Sequence, residues 1–185
     1  MNTETATLFF AMLAVLSQVA VAANALGWAA GRFVPSVAEI RSRFLAPIRP
    51  QAVKLAGVVA VTCTLGSLYL SEVAGFRPCR LCWYQRYAMY PQVLLIGAAL
   101  FAKRGRLVVV AMVLAGAGSL VSIYHILIER FPDLENSTSC DPANPCSLKW
   151  VEHFGYVTIP VMALSGFTLI ITLLGIAAGK AEEAQ

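Results

Sequence analysis

Residues 107–128 read LVVVAMVLAGAGSLVSIYHILI, 22 consecutive positions without a Lys, Arg, Asp or Glu. A helix of about 20 apolar residues crosses the hydrocarbon core of a bilayer, and a helix satisfies its own backbone hydrogen bonds where no water can. Residues 156–178 repeat the pattern. Outward from these two, residues 52–73 hold Lys54 and Glu72 only near the ends, where long side chains reach water. Residues 84–102 form a further apolar block with Arg86 near its start, and residues 8–30 form a fifth. Composition agrees: 58% of the 185 residues are hydrophobic and 13% charged, against about a quarter charged in a soluble domain. The chain reads as an all-α integral membrane protein whose medium is a lipid bilayer, with no nucleic-acid partner indicated.

Ala20-Val21-Ala22 is a small-residue site of the kind found in cleaved leaders, but residues 1–7 contain Glu4 and no Lys or Arg, and the apolar run continues to Ala30. A retained helix is therefore expected. Lys and Arg set the orientation. With the N-terminus outside, inner segments carry Arg32, Arg41, Arg43, Arg49, Lys54, Lys103, Arg104, Arg106 and Lys180, and outer segments carry Arg77, Arg80, Arg86, Arg130 and Lys149, nine against five. The C-terminus is then inside. The connections at 74–83 and 103–106 are short, so consecutive helices must be antiparallel neighbours. The expected layout is an antiparallel four-helix transmembrane bundle over 52–180, preceded by 1–51 (one extra N-terminal transmembrane helix and an inner-surface segment) and followed by a short inner tail, 181–185.

Two connecting segments have signals of their own. Ser36-Val37-Ala38-Glu39 fits a capping box, and Val37, Ile40 and Phe44 then share one face until Pro47. Residues 34–50 read as a basic amphipathic helix on the inner membrane surface, or as a plain linker. In the outer loop, 129–155, Leu148, Val151 and Phe154 recur at helical spacing and predict a second surface helix, with Trp150 at the interface. Asn136-Ser137-Thr138 matches a glycosylation tripeptide, a pattern frequent by chance.

The chemistry lies in the cysteines. Cys79 and Cys82 form a Cys-x-x-Cys at the mouth of the 84–102 span, and Cys140 and Cys146 lie on the same expected side. Thiols pass electrons by direct attack of one sulfur on another, so two pairs on one membrane face can form a relay. The outer face is also where disulfides persist. Cys79 precedes a helix expected to start near Leu81, and the positive end of that helix favours a thiolate. Arg86, four residues after Cys82, projects from the same helix face, where a fixed cation would stabilise a Cys82 thiolate or a reduced acceptor; its other reading is an interfacial snorkelling residue. The loop Cys140-Asp141-Pro142-Ala143-Asn144-Pro145-Cys146 is short and turn-rich, suited to an exchangeable disulfide or to a structural clip. Cys63, in mid-span, reads as a small buried hydrophobe. His125 and Glu129, one turn apart at the outer end of 107–128, read as lining an acceptor pocket or as interfacially solvated, and His153 as solvated.

Electrons need an acceptor. The chain has no Gly-x-Gly-x-x-Gly, and Trp83 rather than His follows Cys82, which removes the c-type haem motif. By elimination, a lipid-soluble quinone reached from the bilayer fits best.

At Gly66–Glu72 (GSLYLSE), Pro78–Arg86 (PCRLCWYQR), Met89-Tyr90-Pro91, Tyr124-His125, Pro145-Cys146 and Phe154–Pro160 (FGYVTIP), the chain resembles the DsbB family of membrane thiol:quinone oxidoreductases, and most closely its BdbC-type branch. The resemblance covers roughly residues 52–178 and is most specific at the Cys-x-x-Cys-Trp-Tyr-Gln-Arg segment. It implies catalytic Cys79, Cys82, Cys140 and Cys146 with Arg86, and a ubiquinone or menaquinone acceptor held by Cys82, Arg86, His125 and Tyr90. It implies that Cys140 takes the mixed disulfide with a soluble or anchored DsbA-like thioredoxin-fold partner, that Cys146 exchanges with Cys79, and that electrons reach the membrane quinone pool. A couple near roughly −120 mV in such a partner requires a more positive acceptor. No metal is implied. The location implied is the bacterial cytoplasmic membrane, with the cysteine loops on its outer face. The extra N-terminal span and the close spacing of the second pair depart from the usual family pattern, so that helix shares or blocks the acceptor pocket. Competing readings are a vitamin K epoxide reductase-like quinone reductase, a four-cysteine zinc site, and a membrane protein merely stapled by two disulfides.

Overall fold

A computed structural model describes residues 2–102, 105–137, 140, 141 and 143–182. Six helices follow in order: α1 Thr3–Gly31, α2 Pro35–Leu45, α3 Ala52–Leu68, α4 Arg80–Ala102, α5 Gly105–Arg130 and α6 Ile159–Glu182. Thr3–Gly31, Arg49–Val73, Gly105–Arg130 and Ile159–Gly179 are long and apolar enough to cross a membrane. The outward surface is apolar, with Val19, Leu26, Val113 and Leu120 exposed, as lipid requires. The protein is an all-α, multi-pass membrane protein.

The expected span at 84–102 is not among those four, and the reason is physical. α4 carries Gln85, Arg86 and Gln92, all buried, and presents Tyr87, Leu94 and Phe101 outward. Polarity inside and apolarity outside lower its apolar content while suiting it to lipid. Its register places it in the bundle. Arg86 Nη2 donates to Ser67 O and Ile96 lies beside Gly57, so α4 runs antiparallel to α3. Gln85 meets His125 and Gln92 Nε2 donates to Ala111 O at 3.0 Å, so it also runs antiparallel to α5. α6 returns antiparallel to α5, with Thr158 against Glu129 at one end and Phe167 against Gly118 further along. A Cβ at Gly118 would overlap the fully buried Phe167 ring, and small residues at such crossings let helices approach.

α1 packs along α6 in parallel. His153 Nε2 donates to Thr7 Oγ1 at 3.0 Å near the start of α1, and Gln18 Nε2 donates to Ser165 Oγ at 3.0 Å eleven residues on. The start of α1 therefore lies at the same end of the molecule as the cysteine loops. His153, expected to be solvated, is instead a tie between loop and helix.

Further expectations are corrected or fall outside the described residues. α2 exists, but Pro35 begins it, Val34 precedes it without a side-chain cap, and Glu39 pairs with Arg43 at 2.6 Å rather than with a capping Ser36. A proline preset to helical φ at the first position displaces the capping box. Phe33 and Phe44 are 86% and 74% exposed, while Ile48 at the end of this segment packs against the core. The second surface helix is absent: Phe154 and Gly155 have φ of 53° and 71°, reversing the chain between bridged His153 and Val157. Left-handed backbone cannot continue a helix, and Trp150 stacks on Phe76 at 5.4 Å instead. Lys103 and Arg104 of the short connection, Thr138 of the glycosylation tripeptide, Pro142 of the cysteine loop and 183–185 of the tail lie outside the described residues.

Candidate functional site

The last turns of α3 widen into a π-helical segment, Tyr69–Val73, unanticipated from sequence. After it, Pro78 and Cys79 lead into α4. Cys79 caps that helix, its Sγ accepting from Cys82 N at 3.4 Å. The two sulfurs are 3.1 Å apart as a hydrogen-bonded dithiol, while Cys140 and Cys146 are bonded to one another. Asn144, inside the Cys140–Cys146 loop, donates to Pro78 O at 3.2 Å, tying the loops together. Cys79 and Cys146, both buried, pack in one cluster with Leu81 and Ile128, with Cys82 and Cys140 at its edge. All four expected sulfurs thus gather at one end of the bundle.

His125 links the two pairs. Its Nε2 lies 3.7 Å from Cys79 Sγ and 3.0 Å from Cys146 O. A carbonyl only accepts, so Nε2 carries the proton, and Gln85 Nε2, 3.4 Å from His125 Nδ1, donates to the other ring nitrogen. His125 is 2% exposed and Glu129 is buried, its Oε2 accepting from Thr158 Oγ1 at 2.6 Å. Neither is interfacially solvated. The Cys82 hydrogen bond lowers the Cys79 thiol, burial opposes it, and the His125 contact and the Cys82 N–H lower it further, to about 4. Loss of the Cys79 thiolate on acidification should therefore centre near pH 4, read as ultraviolet thiolate absorbance of wild type minus Cys79→Ser in the reduced state. A midpoint near the ordinary thiol value of about 8.5 would contradict the geometry.

Below this polar layer lies a cavity of about 470 Å³, within the roughly 300–1,000 Å³ of small-molecule sites. Cys82 and Arg86 line it together with residues of α1, α3 and α6. Arg86 is 9% exposed, so it does not snorkel to water; Nη2 donates to Ser67 O at 2.9 Å and the guanidinium lies 5.2 Å from the Trp83 ring centroid. Among the described residues no carboxylate pairs with it. A buried cation at the wall of an apolar cavity favours a guest that carries hydrogen-bond-accepting oxygens. Cys63 also lines the cavity, half-buried. His125 and Tyr90 do not: His125 faces Cys79, and Tyr90 OH donates to Ser67 Oγ at 3.4 Å while its ring packs on the core.

Sequence reading missed Gln85, Asn144 and Glu135. Glu135 accepts from Cys146 N and, at 2.6 Å, from Ser147 Oγ, bracing the second cysteine of the disulfide. Gln85 stood inside the quoted motif and Asn144 inside the quoted turn-rich loop, neither with a role assigned; Glu135 carried no local signal. Cys79, Cys82 and His125 each offer a ligand atom, all within 4.8 Å of one another. The four-sulfur zinc set is not assembled, since two of its sulfurs are tied in the disulfide.

A protein-family model described as disulfide bond formation protein DsbB matches residues 49–157. Disulfide bond formation protein C of Bacillus subtilis (strain 168) is 41% identical over 126 residues, 68% of this chain and 91% of that protein. Probable disulfide formation protein C 1 of Bacillus anthracis is 42% identical over 107 residues, 58% of this chain and 77% of that protein. Probable disulfide formation protein C 2 of the same organism is 37% identical over 127 residues, 69% of this chain and 90% of that protein. No solved structure gave a significant match.

Proposed function

Because the chain belongs to the DsbB family of disulfide bond formation proteins, and is thus a disulfide-forming membrane oxidoreductase, we propose that it reoxidises a DsbA-like thioredoxin-fold partner and passes the electrons to a membrane quinone. The observation that carries this reading is the position of the Cys79–Cys82 pair. Cys79 faces His125 and the Cys140–Cys146 loop, while Cys82 lines the apolar cavity beside Arg86. One dithiol thus borders both the entry and the exit for electrons. The cysteine loops face the outside of a bacterial cytoplasmic membrane, with both they and the N-terminus on that side.

A partner thiolate attacks Cys140 Sγ, opens the Cys140–Cys146 bond and releases Cys146 as thiolate. The partner's second thiol resolves the mixed disulfide, so the partner leaves oxidised and two electrons remain on Cys140 and Cys146. Cys146 then attacks Cys79 of a closed Cys79–Cys82 disulfide and releases Cys82 beside Arg86. Cys140 attacks Cys146, which restores the outer disulfide and leaves the electron pair on Cys79 and Cys82. A closed outer pair with an open inner pair is the arrangement expected at that point. Quinone, when bound, supplies an acceptor of two electrons and two protons, in keeping with the apolar cavity and a cation without a carboxylate partner among the described residues. Arg86 orients that acceptor and offsets developing negative charge. His125 holds or moves a proton at Cys79 Sγ, and Gln85 keeps its ring in the required tautomer.

The test uses the purified chain in nanodiscs with decylubiquinone or a menaquinone analogue and a reduced thioredoxin-fold oxidase. The reading predicts one quinone reduced for each partner disulfide formed. Partner oxidation without quinone reduction would overturn it.

A further inference from the structure

We propose that α1, which precedes the family-matched segment, is a wall of the acceptor site, and that Phe10 covers the position of the acceptor's ring. The inference rests on the quinone reading above and adds a binding residue that this reading does not assign. α1 packs along α6 and contributes Phe10, Leu13, Ala14, Leu16, Ser17 and Ala20 to the cavity, whose opposite side is α3 and α4. Phe10 bridges from α1 to α3: a Cβ on Gly66 would lie 3.2 Å from its ring, and the ring centroid is 6.2 Å from that of Tyr69. Ser67, the next residue, holds Arg86 through its carbonyl. Phe10 therefore stands level with the guanidinium, at the end of the cavity where Cys82 is found.

Deeper along α1, Ala14, Ser17 and Ala20 are small, and Val58, Val59 and Thr62 line the opposite wall. This part of the cavity offers an apolar lane for a chain attached to the ring. An isoprenoid quinone has that chemistry: a planar, electron-poor ring that favours an aromatic face, and a hydrocarbon tail. The wall is fixed in place by polar ties at two heights, Thr7 with His153 and Gln18 with Ser165, and by Tyr156 OH donating to Gln18 Oε1 at 2.9 Å. The extra helix shares the acceptor site rather than blocking it, and it separates Cys82 from lipid on one side.

The experiment titrates the full chain in quinone-free nanodiscs with decylubiquinone, read by quenching of tryptophan fluorescence, since Trp150 lines the cavity. Steady-state quinone reduction is measured alongside. Phe10→Ala should weaken decylubiquinone binding about tenfold and raise its KM by a similar factor. Ser17→Leu, whose native hydroxyl bonds within its own helix to Leu13 O, fills the lane and should weaken binding at least as much. Leu26→Ala, exposed on α1 outside the cavity, should bind as wild type does. Wild-type binding retained in both Phe10→Ala and Ser17→Leu overturns this inference alone. Absence of saturable quenching and of quinone reduction in wild type overturns the quinone reading together with it.

Discussion

Replacing Cys82 with serine is expected to lower quinone reduction by at least about 10³-fold, because in the proposed relay the residue is an obligatory carrier of the electron pair rather than a tuner of it. Cys82 lies on the cavity wall beside Arg86. Cys79 faces away, toward His125 and the disulfide loop. With Cys82 absent the inner disulfide cannot close, and no route leads from the outer pair to the cavity. Stoichiometric oxidation of the partner by the Cys140–Cys146 disulfide should survive, at one equivalent without turnover. Single-turnover thiol quantitation separates the two results. Continued catalytic quinone reduction by Cys82→Ser would mean that electrons leave by another path.

Arg86→Met is the second large effect. A hydrogen bond to a charged group contributes about 1.5–3 kcal/mol, so its loss should lower kcat/KM for quinone about 10- to 150-fold. The guanidinium is buried, donates to Ser67 O and has no carboxylate partner among the described residues. Replacing a buried charge by an apolar side chain of similar volume is often neutral or stabilising for the fold. Arg86→Met should therefore keep or raise the detergent melting temperature while losing activity, which separates a functional defect from unfolding. Arg86→Lys should not restore wild-type activity, because a single ammonium cannot reproduce the planar fork that reaches both Ser67 O and the cavity. Wild-type kcat/KM in Arg86→Met would remove the cation from the mechanism.

The spans were legible because a bilayer demands long uninterrupted apolar runs, and nothing in 107–128 or 156–178 competes with that signal. α4 was legible as an element, yet its span is the weakest by composition, because its polar side chains point inward toward the site they build. Short connections fixed the antiparallel order, which the Arg86–Ser67 and Gln92–Ala111 contacts bear out. Periodicity misled at Leu148, Val151 and Phe154, where a chain reversal at Phe154-Gly155 decides the local structure. The Ser36–Glu39 capping box was outweighed by Pro35 one residue earlier. At the site, the cysteines and Arg86 stood out by spacing. His125 was identifiable as a buried ionisable group, but its contact with Cys79 rather than the cavity depends on the α4–α5 crossing. The α1 wall was illegible, since Phe10 is one apolar residue among many and only parallel packing on α6 brings it level with Arg86.

Formation of a direct Cys79–Cys146 bond is the most direct measurement of the central claim, that the outer pair hands electrons to the inner one. In Cys82→Ser/Cys140→Ser only these two relay sulfurs remain; in the structure the two residues pack in one cluster, and Cys79 Sγ and the Cys146 carbonyl both lie against His125 Nε2. Mild oxidation in nanodiscs followed by non-reducing peptide mapping should recover a Cys79–Cys146 linkage as the main product. Recovery of both thiols free, or of Cys79 joined to Cys63 instead, would contradict the relay.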